Sequence, residues 1–231
     1  LVMAQLTNPG APVIYGGSPT TLDPKFATAC LGAIETMMLG CSYTQIGKYY
    51  GLPTHMYLGL SDTKVIDAQC GFESGIAIVL GALAGINVIS GPGMLNFENC
   101  QSLEKLVVDD AICGMALRLV EGVRVDDETL ALDLIRKVGP GGMYLAEKHT
   151  LQWFKKEQYI PSQLIDRQEF KAWKTAGSKD TAQRAREIVE RTLKEHQPEP
   201  LPPDIEKDLD NVMRDIMKQR KIPALPLVPA S

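Results

Sequence analysis

The stretch Gly51–Ser74, GLPTHMYLGLSDTKVIDAQCGFES, constrains the fold more than any other part of the chain. Gly51-Leu52-Pro53 is a turn signal, and the short apolar run Thr54–Leu60 after it suits a strand. The polar loop Ser61-Asp62-Thr63-Lys64 follows. A helical pattern then starts near Asp67 and carries Ile76, Leu80 and Leu83. Strand, loop and helix in that order are the repeat of parallel α/β sheets, where ligands bind at the loops after the strands. A solvated loop with an ordinary helix cap is the plainer reading of these residues taken alone.

The pattern recurs. Pro12–Tyr15 is β-like and ends in Gly16-Gly17, a pair that makes a turn or lets a ligand approach the backbone. Asn87–Ser90 lies one helix beyond Thr54–Leu60, the spacing of a βαβ unit, and ends in the loop Gly91–Phe97. A helix capped by Ser102 then runs to about Gly122. Between the first two strands, Asp23-Pro24 predicts a helix carrying Phe26, Ala29, Cys30, Ala33, Ile34 and Met37, and a second short helix covers about Tyr43–Tyr50. The helix after Asp67 is rich in small residues (Gly71, Gly75, Ala77, Gly81), poor chemistry for an isolated helix but suited to close packing on a sheet.

After Val125 the character changes. Asp126-Asp127-Glu128 opens an amphipathic helix with Leu130, Leu134, Ile135 and Val138, which Gly139-Pro140-Gly141-Gly142 breaks. From Leu151 the chain is charged and helical. Gln197–Pro203 is a Pro-rich linker. Asp204 is read as the cap of a last helix, and the tail from Ile222 as an extended Pro-rich arm.

With 231 residues and a net charge of −4, the chain can bury a core and has no electrostatic reason to bind nucleic acid or an anionic membrane. No apolar run is long and clean enough to span a bilayer. The five scattered cysteines lack any Cys-x-x-Cys, so a reduced, cytoplasmic setting is expected. The three histidines are far apart, and no metal site is expected. The chain opens Leu1-Val2-Met3, from which we expect a fragment of a longer protein.

Gly51-Leu52-Pro53, Ser61-Asp62-Thr63-Lys64, and Asp67-Ala68-Gln69 with Gly71 and Glu73 resemble the trimethylamine methyltransferase superfamily. The resemblance continues through Val138–Gly142, His149-Thr150-Leu151, Asp166-Arg167 and Trp173. It implies the C-terminal half of a (β/α)8 barrel over residues 1–150, followed by a helical extension over 151–231. It also implies an enzyme of methylamine metabolism and methanogenesis that moves a methyl group from a methylated amine to the cobalt of a corrinoid (cobalamin). The corrinoid would be carried by a small partner protein. Members acting on trimethylamine carry pyrrolysine in this half. None stands here, although Cys70 falls near that place, so a quaternary amine such as glycine betaine is the expected substrate.

For that chemistry the residues divide by type. Asp62, Lys64 and Glu73 are the catalytic candidates: a carboxylate suits a bound cation, and a lysine suits a substrate carboxylate. Tyr15, Tyr57 and Phe97 are candidates for an aromatic cation cage, with Gln69 as a further binding residue. His149, Gly141 and Gly142 match the family pattern and are candidates for meeting the corrinoid. His55 is read as structural and Asp67 as a helix cap. Two other readings stand beside this one. A different α/β-barrel enzyme would hold a phosphorylated substrate at Gly16-Gly17 or Gly91-Pro92-Gly93. A non-catalytic binding or assembly module would pair its sheet edges with another chain, and a homo-oligomer is expected on that ground.

Overall fold

Three short strands pair in parallel in the order β1 (Tyr15–Gly17), β4 (Thr54–Met56) and β5 (Val88–Ile89). The computed structural model describes residues 2–223. Tyr15 pairs with Thr54, Gly17 with Met56, and Met56 with Ile89. The remaining elements of the first half are α1 (Val2–Thr7), the hairpin β2 (Thr21–Asp23) and β3 (Thr28–Cys30), α2 (Ile34–Tyr49), α3 (Ala68–Leu83), the hairpin β6 (Met94–Leu95) and β7 (Cys100–Gln101), and α4 (Leu103–Glu121). Thus α2 links β1 to β4 and α3 links β4 to β5. The chain is an α/β protein with a small parallel sheet.

The alternation of a strand decides what each face does. Thr54, Met56 and Leu58 are buried on the side of α2 and α3, where Met56 and Leu58 form a core cluster with Met37, Ala77 and Ile86. His55 and Tyr57 take the opposite side, their rings edge to face at 5.1 Å, and His55 Nε2 shares a 2.7 Å hydrogen bond with Ser90 Oγ. Of the small residues in α3, Gly81 permits the close approach to the sheet: a Cβ there would sit 2.7 Å from Ile89. Gly71 and Gly75 face open space instead. A second core cluster, Ile78, Val108, Ile112 and Ala116, joins α3 to α4.

Two sequence expectations change between β1 and β4. Where a helix was expected after Asp23, a hairpin forms. Asp23 Oδ1 accepts from the amides of Lys25 (2.7 Å) and Phe26 (3.2 Å), and Ala27 turns the chain at φ 54°. The Asx turn satisfies the same amides a helix cap would, so Asp-Pro marked a turn rather than a helix start. The helix instead begins at Ile34 and runs without a break to Tyr49, replacing the short helix expected at Tyr43. The βαβ pattern, the Asp67 cap and the Ser102 cap are as expected: Asp67 Oδ1 accepts from Cys70 N at 3.1 Å and Ser102 Oγ from Lys105 N at 3.1 Å.

Beyond α4 come α5 (Asp127–Leu130), α6 (Leu132–Val138), α7 (Lys148–Glu157), α8 (Phe170–Thr175), α9 (Thr181–Glu195) and α10 (Pro203–Arg220). The single amphipathic helix expected after Asp126 is split by Ala131, which is left-handed at φ 50°. The compact units of the chain divide between Thr192 and Leu193. The physical reason is that Leu164 and Ala185 are buried in the same cluster as Ile78 and Val108. In the second unit, α10 is capped at Pro202, and Asp204 lies in its first turn rather than at the cap. The Pro-rich tail read from Ile222 falls largely outside the described residues. Among the described residues no helix is long and apolar enough to cross a membrane.

Candidate functional site

The loop after β4 is built around Glu73. Asp67 starts α3 so that Glu73 comes up on its second turn, buried under the loop. Glu73 Oε2 accepts from Ser61 Oγ at 2.5 Å and from the Asp62 amide at 2.8 Å, and Oε1 accepts from Gln69 Nε2 at 2.8 Å. Ser61 Oγ in turn accepts from the Thr63 amide at 3.2 Å. A buried carboxylate is tolerable only when its lone pairs are engaged, and here three donors engage it. Gly32, from the turn before α2, lies against the carboxylate: a Cβ on Gly32 would stand 2.7 Å from Glu73 Cδ.

Asp62 is half-buried above this network, and its Oδ1 has no hydrogen-bond partner. Burial pushes its carboxyl above the usual range and the neighbouring Glu73 charge adds to that, while the backbone amides of Gly32 and Leu31 and the Lys64 ammonium pull the other way. Lys64 does not form an ion pair with the Asp62 carboxylate. Its Nζ donates to the Asp62 carbonyl at 2.7 Å and stands 4.2 Å from the centre of the Phe97 ring.

The loop after β5 lies alongside. Ser61 N donates to Met94 O at 3.0 Å and Asn96 N to Thr63 O at 2.9 Å, so the two loops are cross-bonded rung by rung. Asn96, Phe97 and Glu98 are all left-handed, at φ 51°, 55° and 67°, and Asn99 Nδ2 closes the turn on Asn96 O at 2.8 Å. Three consecutive non-glycine residues in this region are strained, and such strain gathers at functional sites.

The candidates therefore separate. Asp62, Lys64, Glu73, Gln69 and Phe97 come together. Tyr15 does not join them: it stacks on Tyr43 at 4.3 Å, on the α2 side of the sheet. Tyr57 points to the opposite side, beside His55. No single cage of Tyr15, Tyr57 and Phe97 forms. His149 lies in α7, where its Nε2 bonds the Glu128 carbonyl at 2.8 Å and its ring stacks on Trp153. Gly141 turns the chain at φ 74°, and a Cβ on Gly142 would run into Val138. These three residues form a turn and a contact between α5 and α7. The glycine loops are likewise occupied. The Gly91 amide bonds Leu58 O at 3.0 Å, and the Gly93 amide bonds Asp109 Oδ2 at 2.6 Å, which leaves neither for a phosphate. Gly16 and Gly17 make room for His55 and Tyr43. Among the described residues no cluster of metal-ligating side chains occurs.

Ser61, Leu31 and Gly32 belong to the site and are not among the candidates that the sequence offers. Ser61 had a signal, a hydroxyl in the polar loop. Leu31 and Gly32 had none, because the hairpin that presents them was read as helix.

A family model described as trimethylamine methyltransferase (MTTB) matches residues 1–222. The chain belongs to the trimethylamine methyltransferase family. The trimethylamine methyltransferase MttB of Methanosarcina barkeri is 43% identical over 215 residues, which is 92% of this chain and 43% of that protein. The MttB of Desulfitobacterium hafniense strain DCB-2 is 37% identical over 215 residues. A glycine betaine methyltransferase of Desulfitobacterium hafniense strain Y51, 36% identical over 208 residues, is a third relative, again with 43% of its length covered. The chain thus spans less than half the length of the curated relatives of this family that it matches.

Proposed function

We propose that the chain serves methyl transfer from a methylated amine, with the loop after β4 as the place where the alkylated nitrogen is held. The observation that carries this is the Phe97 ring with an ammonium, that of Lys64, over its face 4.2 Å from the centre. The face already accepts a positive nitrogen, which supports a methylated ammonium there. Asp62, in the same loop and with Oδ1 unpartnered, adds a carboxylate to this loop. Family membership supports the reaction type. Lys64 is placed to bind the carboxylate of a zwitterion such as glycine betaine once it leaves Phe97, and this favours a quaternary amine acid over trimethylamine.

In this reading the acceptor is the cobalt of a corrinoid on a separate small protein, which supplies the nucleophile. The chain's own part is to fix the nitrogen on the Phe97 face and to keep water from the methyl group. The amine departs with the electron pair of the broken carbon–nitrogen bond. Glu73, buried and fully engaged, holds the loop rather than touching substrate. Tyr57, on the opposite sheet face beside His55, is not assigned to the amine. We infer that the parallel sheet is an arc of a (β/α)8 barrel, because α2 and α3 cover one face only and the other carries polar groups.

The test mixes the chain with a Co(I) corrinoid and glycine betaine or trimethylamine. Loss of the Co(I) absorbance together with release of dimethylglycine is the expected result. Loss with trimethylamine alone would reverse the substrate assignment. No loss with any methylated amine, under conditions where a relative is active, would refute the reading.

A further inference from the structure

Lys105 and Asp109, one turn apart on α4, are both 0% exposed and form an ion pair. Lys105 Nζ donates to Gly59 O at 3.0 Å, to Ser74 Oγ at 2.9 Å and to Asp109 Oδ2. All three of its protons are used. Asp109 Oδ2 also accepts the Gly93 amide at 2.6 Å, and Ser102 N binds Gly93 O at 2.9 Å. Asp109 Oδ1 has no partner. Two buried charges with one lone oxygen are a poor source of stability, since an apolar pair of equal volume serves as well or better.

What the pair touches is informative. Gly59 lies two residues before Ser61, and Gly93 one residue before Met94. Ser61 and Met94 form the first rung between the two loops, and Thr63 and Asn96 the second. One charged pair therefore grips the β4 loop by a carbonyl and the β5 loop by an amide, immediately before the rungs that align the loop of Asp62 and Lys64 with the loop of Phe97. A Cβ on Gly91 would stand 2.3 Å from Leu58 O, so the two backbones leave no slack at the point of grip.

We propose that Lys105 and Asp109 are positioning residues: a buried ionic clamp that fixes the register of the two site loops relative to each other. The significance of that register for amine binding rests on the function proposed above; the clamp itself does not. No residue of the clamp reaches the substrate position.

The experiment compares the whole chain with Lys105→Met/Asp109→Leu, which replaces both charges by apolar groups. The expected result is an unchanged or higher thermal midpoint, with amide hydrogen exchange across 59–64 and 91–97 faster by about tenfold or more and exchange in α3 and α4 unaltered. The dissociation constant for tetramethylammonium should rise by a similar factor at constant thermal midpoint. Unchanged exchange in both loops would overturn the clamp. A wild-type chain that binds no tetramethylammonium would count against the amine site alone, and exchange would still judge the clamp. Should the double variant not fold, Ser74→Ala removes one Lys105 partner, and with it the 3.1 Å bond from Ser74 Oγ to Gly59 O, without touching a charge. Faster exchange confined to 59–64 is then expected, and no change there refutes the proposal.

Discussion

Replacing Glu73 by Gln is the most informative single change, because it keeps shape and removes only charge. Three donors meet the carboxylate, at 2.5, 2.8 and 2.8 Å. A glutamine can still accept from Ser61 and Asp62 with its oxygen, and Gln69 can turn its amide to accept from the new NH2. No partner is orphaned. Each bond falls from the charge-assisted range of about 1.5–3 kcal/mol to the neutral range of about 0.5–1.5 kcal/mol, a loss of about 3 kcal/mol over three bonds. Relief of the repulsion that Glu73 exerts on Asp62 works in the opposite direction, so a net loss of about 2 kcal/mol is expected. In urea this moves the midpoint down by about 1 M at a slope of about 2 kcal/mol per M. At the same time the Asp62 carboxyl, followed by carbon NMR, should titrate lower than in the wild type, since one of the causes that raise it is gone. A midpoint that does not fall, or an Asp62 that titrates no lower, would refute the account of this network.

Gly32→Ala forces a methyl to within 2.7 Å of Glu73 Cδ and should cost about 1–3 kcal/mol in urea unfolding, more than Gly71→Ala, where nothing lies within 4 Å. Asp62→Asn should stabilise the chain at neutral pH: the folded-state carboxyl is raised, so its ionisation costs stability above that pKa. The difference from wild type should close as pH falls through the folded value toward the unfolded one near about 3.9, and equal stability at pH 7 would contradict this. Cys70, buried and pushed up to about 11 by burial, should resist thiol reagents at pH 8 until the chain unfolds, whereas exposed Cys100 should react at once in a timed labelling experiment. Lys64→Met frees the Phe97 face, and tetramethylammonium binding by calorimetry should tighten while glycine betaine binding weakens; a parallel shift of both would rule out the carboxylate role of Lys64.

The central strand, its loop and the two caps could be read because their signals are local. Asp67 and Ser102 bond amides three residues on, and a cap needs nothing more than its own turn. Asp23 shows the limit of such signals, since the same side chain bonding to the next amides makes an Asx turn or a helix start. The decision came from Ala27 and the pairing of β2 with β3, which are not local properties. Glu73 and Gln69 share one helical face at a spacing of four, and that spacing was visible. Tyr15 was misplaced for a different reason. Alternation tells which strand residues share a face, but not which face meets the helices, and Tyr15 shares its side with buried Thr54. Lys105 and Asp109 stand at the same spacing of four, yet two opposite charges on a helix usually mark a solvated face. Only burial separates the two cases, and burial is a property of the whole fold.

The left-handed run at Asn96, Phe97 and Glu98 has a practical consequence for anyone wishing to retarget the site. Each ordinary side chain there is held about 1–2 kcal/mol uphill of its relaxed backbone. A β-branched replacement at 97 would be penalised by the backbone before any ligand was offered, so a library built by free variation would lose most members to misfolding rather than to poor recognition. Glycine at 96, and glycine or asparagine at 98, are the natural starting points, where they release strain that can then be spent on a demanding ring at 97. A mirror-image residue introduced by chemical ligation should settle at 96 or 98 without strain at all, which makes this short arc a suitable host for building blocks that the rest of the chain would reject.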